Sequence, residues 1–144
     1  MTHRRHHKPV TTCEQAAALK KIPLAQELKT LVIRTTDGLV LCHLPGNRRL
    51  SLRKVKQLLH ADEAHLASTI ELASLGAEPG TVCPLLPVLR ALPAILDPAV
   101  LEFPSVSTND GTRFGAVFFA PALLLDNPAI RVADCTITSV SPPA

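Results

Sequence analysis

Two apolar runs, Thr30-Leu-Val-Ile-Arg-Thr35 and Leu39-Val-Leu-Cys-His-Leu44, stand on either side of Thr36-Asp37-Gly38. β-Branched and aliphatic runs joined by Asp-Gly predict an antiparallel hairpin, because Asp and Gly tolerate the positive φ of a tight connection. Two strands alone are marginal in water, so the rest of the chain must add strands and a cover. Ala94–Asp97, Ser105–Thr108, Arg113–Phe119 and a last stretch around Ile130–Ile137 read as those strands. Helix signals fall between them. Thr11 is placed to cap a helix, with Glu14 reaching back. Ser51 can cap a second, whose apolar residues are Leu52, Val55, Leu58 and Leu59. A further amphipathic stretch begins near Asp62, Ser68-Thr-Ile-Glu71 offers another capping box, and Gly76 is a natural stop. A Pro45-Gly46-Asn47 turn and a short helix after Pro121 complete the pattern. The interleaving predicts an α+β single domain, with a mixed, largely antiparallel sheet flanked by short helices.

At 144 residues there is room for one ordinary domain, and 47% hydrophobic against 19% charged residues excludes wholesale disorder. Aromatics are only 3%, with no Trp or Tyr, so the core must be aliphatic and base stacking can have only a small part. Phe114–Leu125 is too short to cross a bilayer, and Val82–Phe103 holds Arg90, Asp97, Glu102 and four prolines. No apolar signal core follows the basic start Met1–Lys8. Cys13, Cys42, Cys83 and Cys135 form no C-x-x-C pair, which suits free thiols in a cytoplasmic protein. The expected organisation is a mobile basic lead-in over 1–8, a domain over 9–138 and a frayed tail over 139–144.

The net charge of +3 conceals a split. Residues 1–72 carry 12 Lys/Arg against 6 Asp/Glu, and residues 73–144 carry 3 against 6. The densest basic segment, Arg48, Arg49, Arg53, Lys54 and Lys56, suits either a phosphate-contacting face or an ordinary solvated one. Lys29 enters an apolar strand, where it can polarise a carbonyl or simply guard a sheet edge. Gly76-Ala-Glu-Pro79-Gly80 can bring backbone N–H groups close to a ligand, or serve as a helix stop and turn. Asn109-Asp110-Gly111 can orient a polar substrate or close a hairpin. His3, His6 and His7 invite a metal reading that their spacing does not support, and no nucleophile–His context occurs. Any hydrolysis would rest on positioning and electrostatics, with no cofactor.

The order of these signals resembles the YbaK/ProX family, the aminoacyl-tRNA editing domains associated with prolyl-tRNA synthetase. The resemblance lies in His7-Lys-Pro-Val-Thr-Thr12, Glu27-Leu-Lys-Thr-Leu-Val32 and Gly76-Ala-Glu-Pro-Gly-Thr-Val-Cys-Pro84. Ala94-Ile-Leu-Asp97, Asn109-Asp-Gly111 and the Ala120-Pro-Ala-Leu-Leu124 helix start extend it to about Ile137. It implies a deacylase that hydrolyses mischarged tRNA, typically tRNA(Pro) carrying Ala or Cys, with the synthetase as a possible partner. The family's essential lysine falls on Lys29, and the amino-acid-selecting residue after it on Thr30. Thr30 is similar to the cysteine-directed members. The loop beside the terminal adenosine falls on Gly76, Pro79 and Gly80, and the polar pocket position near Asn109, Asp110 and Gly111. The basic segment Arg48–Lys56 then becomes a tRNA-facing candidate. A family helix and strand that commonly precede the His-x-Pro-Val stretch have little chain to occupy here. A non-catalytic module that docks tRNA or a synthetase, and a small-molecule hydrolase on the same scaffold, are the rival readings.

Overall fold

The computed structural model describes residues 1–138; the expected tail over 139–144 lies outside the described residues. The predicted hairpin is the centre of the molecule. Strands β2 (Leu28–Thr35) and β3 (Gly38–Pro45) pair antiparallel from Leu28↔Pro45 to Thr35↔Gly38. Thr36 and Asp37 form the connection, and Gly38 opens β3 at φ 138°, a conformation few other residues adopt. The Thr35 hydroxyl donates to the Gly38 carbonyl across the turn.

Around this hairpin lies a five-stranded sheet, ordered β5 (Ala64–Leu66), β2, β3, β6 (Ala94–Leu96) and β9 (Ile130–Val132). Among the described strands only β3–β6 and β6–β9 run parallel. Alternation along β2 and β3 splits the core into layers. Val32, Leu41 and Ala94 face Leu72 of α3 (Thr69–Ser74) and Leu89 of α4 (Pro87–Arg90). Ile33, Cys42, Leu44 and Ile95 face Val55 of α2 (Leu52–Leu59). Leu28 and Leu96 join Val106 of β7 (Val106–Asn109) and Val117 and Phe119 of β8 (Gly115–Phe119) in a third cluster. This largely aliphatic packing, with Phe119 a buried exception, fits the scarcity of aromatics.

A second sheet, β1 (Thr2–Arg5)–β8–β7, stands beside the first, and a ribbon pairs β4 (Arg48–Leu50) with β10 (Thr136–Thr138). Asp97, buried at 1% exposure, holds that ribbon in place. Its carboxylate accepts from the Cys135 and Ala99 N–H groups and the Thr136 hydroxyl, with the Arg48 guanidinium 3.9 Å away.

Several expectations change. Residues 2–5 are no loose lead-in: Thr2–Arg5 pair with Phe118–Gly115, because β8 has a free edge to offer. The first helix, α1 (Cys13–Lys20), starts one residue later than read. Thr12 is its N-cap, accepting from the Gln15 N–H. Gln15 makes the return contact in place of Glu14, accepting from the Thr11 N–H and hydroxyl. The amphipathic stretch near Asp62 contains an edge strand, since β2 needs a partner there. Ile130–Ile137 is two strands, split where the Asp134 carboxylate accepts from the Thr136 N–H and redirects the chain between sheets. Helix α4 carried no clear sequence signal beyond Pro87 at its start. Ser51 and the Ser68–Glu71 capping box sit as read. All four cysteines are free thiols, and no helix of the described residues is long and apolar enough to cross a membrane.

Candidate active site

A cleft of about 270 Å3 opens where the start of β2 meets α1, the end of β7 and the loop after α3. Lys29, Thr30, Gly80 and Asn109 all line it, although they come from three distant stretches of chain. Gly76, Pro79 and Gly111 do not. They border a shallow groove on the outer side of the loop, against α3.

Lys29 and Thr30 are neighbours whose side chains leave β2 on opposite faces. The Lys29 ammonium donates to the Arg48 carbonyl at 3.1 Å, which uses one of its three donors. Thr30 is buried and its hydroxyl meets His43 Nδ1 at 2.9 Å, directly across the hairpin. Burial pushes the His43 imidazole down to about 4 from its ordinary 6.5, so the ring is neutral at pH 7. The unfolded chain therefore takes up a proton near pH 6.5 that the folded chain refuses until about 4. The stability that neutral His43 supplies is complete above that window and is lost as pH falls through it. A shift of this size corresponds to on the order of 3 kcal/mol. In denaturant titrations at pH 7 and pH 4, His43→Gln should lose about that much less than the parent; an identical pH dependence would refute the effect.

Gly80 allows a close approach of backbones. It sits at φ 86°, and a Cβ there would lie 2.8 Å from the Thr11 carbonyl oxygen. Gly76 also has positive φ, at 75°, but open space around it. Gly80→Ala is therefore expected to lower stability by about 2–3 kcal/mol, and Gly76→Ala by only about 1 kcal/mol. Equal losses in a thermal melt would mean that the Thr11 contact has no cost.

Asn109 ties β7 to this loop, its amide donating to the Val82 carbonyl at 3.2 Å and accepting from the Gly111 N–H. Asp110 turns away to the wall. It accepts from the Thr112 N–H and hydroxyl and pairs with His3 at 2.8 Å, in a space that any Cβ on Gly115 would fill. Burial pushes this carboxyl up, but the Thr112 and His3 contacts outweigh it and leave it below its usual range.

Lys20, Glu27 and Cys13 are among the cleft residues that sequence reasoning did not single out as site residues. Lys20, at the end of α1, donates to both Glu27 carboxylate oxygens, at 2.9 and 2.8 Å, and to the Ser107 hydroxyl. Both charged side chains are nearly buried, and burial pushes the Glu27 carboxyl up against the pull of Lys20. Nothing local marks this pair, since Pro23 and a 3₁₀ turn over Leu24–Gln26 lie between its members. Cys13 completes the wall; burial pushes its thiol up to about 11, so it is no thiolate at neutral pH.

The basic segment divides. Arg48 leans toward Asp97, and Lys54 donates to Asp134 and the Thr136 carbonyl. Arg49, Arg53 and Lys56 remain exposed.

The fold is that of a small α+β domain with a cleft between its two sheets, lined by Lys29 and by Gly80 of the loop after α3. The sequence model of the aminoacyl-tRNA editing domain matches residues 7–126, and the chain belongs to that family. Proline–tRNA ligase of Xylella fastidiosa is 38% identical over 80 residues, covering 53% of this chain and 14% of that protein. The enzyme of Bacillus subtilis is 33% identical over 81 residues, covering 56% and 14%. The chain thus spans a small fraction of the length of these relatives. A crystal structure described as a candidate trans-editing enzyme for prolyl-tRNA synthetase superposes with a TM-score of 0.83. It is 27% identical, over 94% of this chain and 86% of that one.

Proposed function

We propose that this chain is a deacylase that hydrolyses the ester of mischarged tRNA(Pro), carrying Cys or Ala. The observation that carries the reading is the convergence of Lys29, Thr30, Gly80 and Asn109 on one cleft in a member of an aminoacyl-tRNA editing family. With one donor on the Arg48 carbonyl, Lys29 has two N–H groups without a partner among the described residues. They suit the ester carbonyl, or the phosphate beside it, where negative charge develops. The Gly80 N–H likewise has no partner among the described residues and is the second candidate donor. Cys13 is held as a neutral thiol, so the attacking group is water or a group of the substrate, positioned by the cleft. A cleft of this size admits a small amino acid on the terminal ribose and sieves larger ones by volume. Thr30 and Asn109 are the proposed selecting and orienting positions, with Asp110 and Gly111 shaping the turn that holds Asn109. The face formed by Arg48, Arg49, Arg53, Lys54 and Lys56 is the proposed tRNA-facing surface, with Arg49, Arg53 and Lys56 the cations it leaves exposed.

The test is release of amino acid from Cys-, Ala- and Pro-tRNA(Pro) by the purified protein. The reading expects turnover of one or both mischarged species and little of Pro-tRNA(Pro). Salt-sensitive tRNA binding with no turnover would make the chain a docking module, and hydrolysis of simple aminoacyl esters without regard to the tRNA body would make it a small-molecule hydrolase.

A further inference from the structure

Strand β1 carries cations that the proposed reaction leaves unused. In register, Arg4 lies opposite Ala116 of β8, and Ala116 lies opposite Asn109 of β7, so these three side chains share one face of the sheet. The same face carries Phe118 opposite Ser107, the residue that Lys20 meets in the cleft. The Arg4 guanidinium stands 4.7 Å from the centroid of the Phe118 ring. Arg5, opposite Gly115, projects to the other face.

Beyond β1 the chain stays on the same wall. The His6 N–H donates to the Phe114 carbonyl and the Val10 N–H to that of Arg113. His6 lines the cleft, and its ring meets the carbonyl of the exposed Lys8. Neither Arg4 nor Lys8 forms an ion pair among the described residues. Asp110, the carboxylate that β1 does meet, is already occupied by His3 and Thr112.

We propose that Arg4 and Lys8 form a phosphate-binding rail along the β1 wall of the cleft, gripping the backbone of the RNA strand whose aminoacyl end enters it. This rests on the deacylase reading and adds a second basic wall to the one at Arg48–Lys56. The chemistry favours RNA over other occupants. A guanidinium steadied on an aromatic ring is pre-organised for a bidentate phosphate contact. A second copy of the chain pairing along the free edge of β1 would set its arginines against their like, which disfavours that partner.

Uncharged tRNA(Pro) is the probe, with binding measured from about 50 to 200 mM salt. Each lost phosphate contact flattens the log–log salt slope by about 0.7–0.9, so Arg4→Gln/Lys8→Gln should flatten it by about 1.4–1.8. Arg5→Gln removes the same charge from the other face and should leave the slope unchanged. In deacylation of Cys-tRNA(Pro), or of Ala-tRNA(Pro) if that is the species turned over, the double variant should raise KM about ten-fold and leave kcat alone. Turnover of the matching 2′(3′)-O-aminoacyl-adenosine, which has no strand to grip, should not change. An unaltered slope in the double variant, or an equal loss in Arg5→Gln, overturns the rail. So does a change of oligomeric state by light scattering in place of the slope change. Absence of turnover in the parent protein would remove the deacylase reading alone, because the salt slope needs no catalysis; absence of tRNA binding would remove the rail. Arg4 and Lys8 are exposed, so an unchanged melting curve should accompany every variant.

Discussion

Lys29→Ala is expected to slow deacylation of the mischarged tRNA by about 10²–10³-fold while leaving the melting temperature almost unchanged. The magnitude is that of removing one donor aimed at a developing oxyanion in a water-poor site. The small structural effect follows from its surroundings. Lys29 is half-buried, and its one side-chain hydrogen bond among the described residues is to the Arg48 carbonyl, at the end of a β2–β3 ladder that runs through eight residue pairs. The loss should fall mainly on kcat, because the contact strengthens as charge develops on the ester. Lys29→Arg separates charge from position: it restores a cation, but its planar fork cannot reproduce a point donor, so only part of the rate should return. A parent-like rate in Lys29→Ala would end the role assigned to this residue.

Lys20→Ala is expected to have the largest effect on stability, about 3–5 kcal/mol, or on the order of 10–20 °C in melting temperature. The change strands the Glu27 carboxylate, whose side chain is 4% exposed, with only the Ser107 hydroxyl for company. Burial already pushes Glu27 up, and losing Lys20 removes the first of the groups that pull it back. The sign of the pH effect follows. A carboxyl raised in the folded state destabilises above its folded pKa and stops doing so once protonated, so the defect should shrink from pH 7 to pH 5. Lys20→Met/Glu27→Gln removes both charges together and should cost much less than Lys20→Ala alone. Equal costs for the single and double variants, or a pH-independent defect, would show that the pair is not the source. A collapsed pair would also disturb the cleft, since Glu27 lies two residues before Lys29 and its carbonyl accepts from the Gly46 N–H at 2.7 Å.

What could be read along the chain was whatever is encoded within a few residues. The β2–β3 hairpin, the Ser51 cap and the Ser68–Glu71 box depend on neighbours, and they form almost where their residues stand. The first helix slipped by one position because Thr11 and Thr12 are both competent caps and Gln15 is as good a return partner as Glu14. Which of them wins depends on where the Thr11 carbonyl must lie to meet Gly80, a contact across nearly 70 residues. The last strand divided for a similar reason: nothing in Ile130–Ile137 reports that Asp97 waits to bind Cys135 and Thr136. Lys29, Thr30, Gly80 and Asn109 were identifiable as residues, but Gly76, Pro79 and Gly111, their sequence companions, face the other side of the loop. A loop's sequence names its turns, while its inward side is set by what packs against it.

The sequence by itself determined an aliphatic α+β domain built on one hairpin, its helix caps, its uneven charge and its family, because propensity, capping and turn chemistry act over a few residues. Only the tertiary structure decided which wall each of those residues lines. Burying the Lys20–Glu27 pair, seating Thr30 on His43 and laying the basic start of the chain along β8 all need partners far away in sequence. Their energies come from desolvation and strand pairing, which no local pattern records.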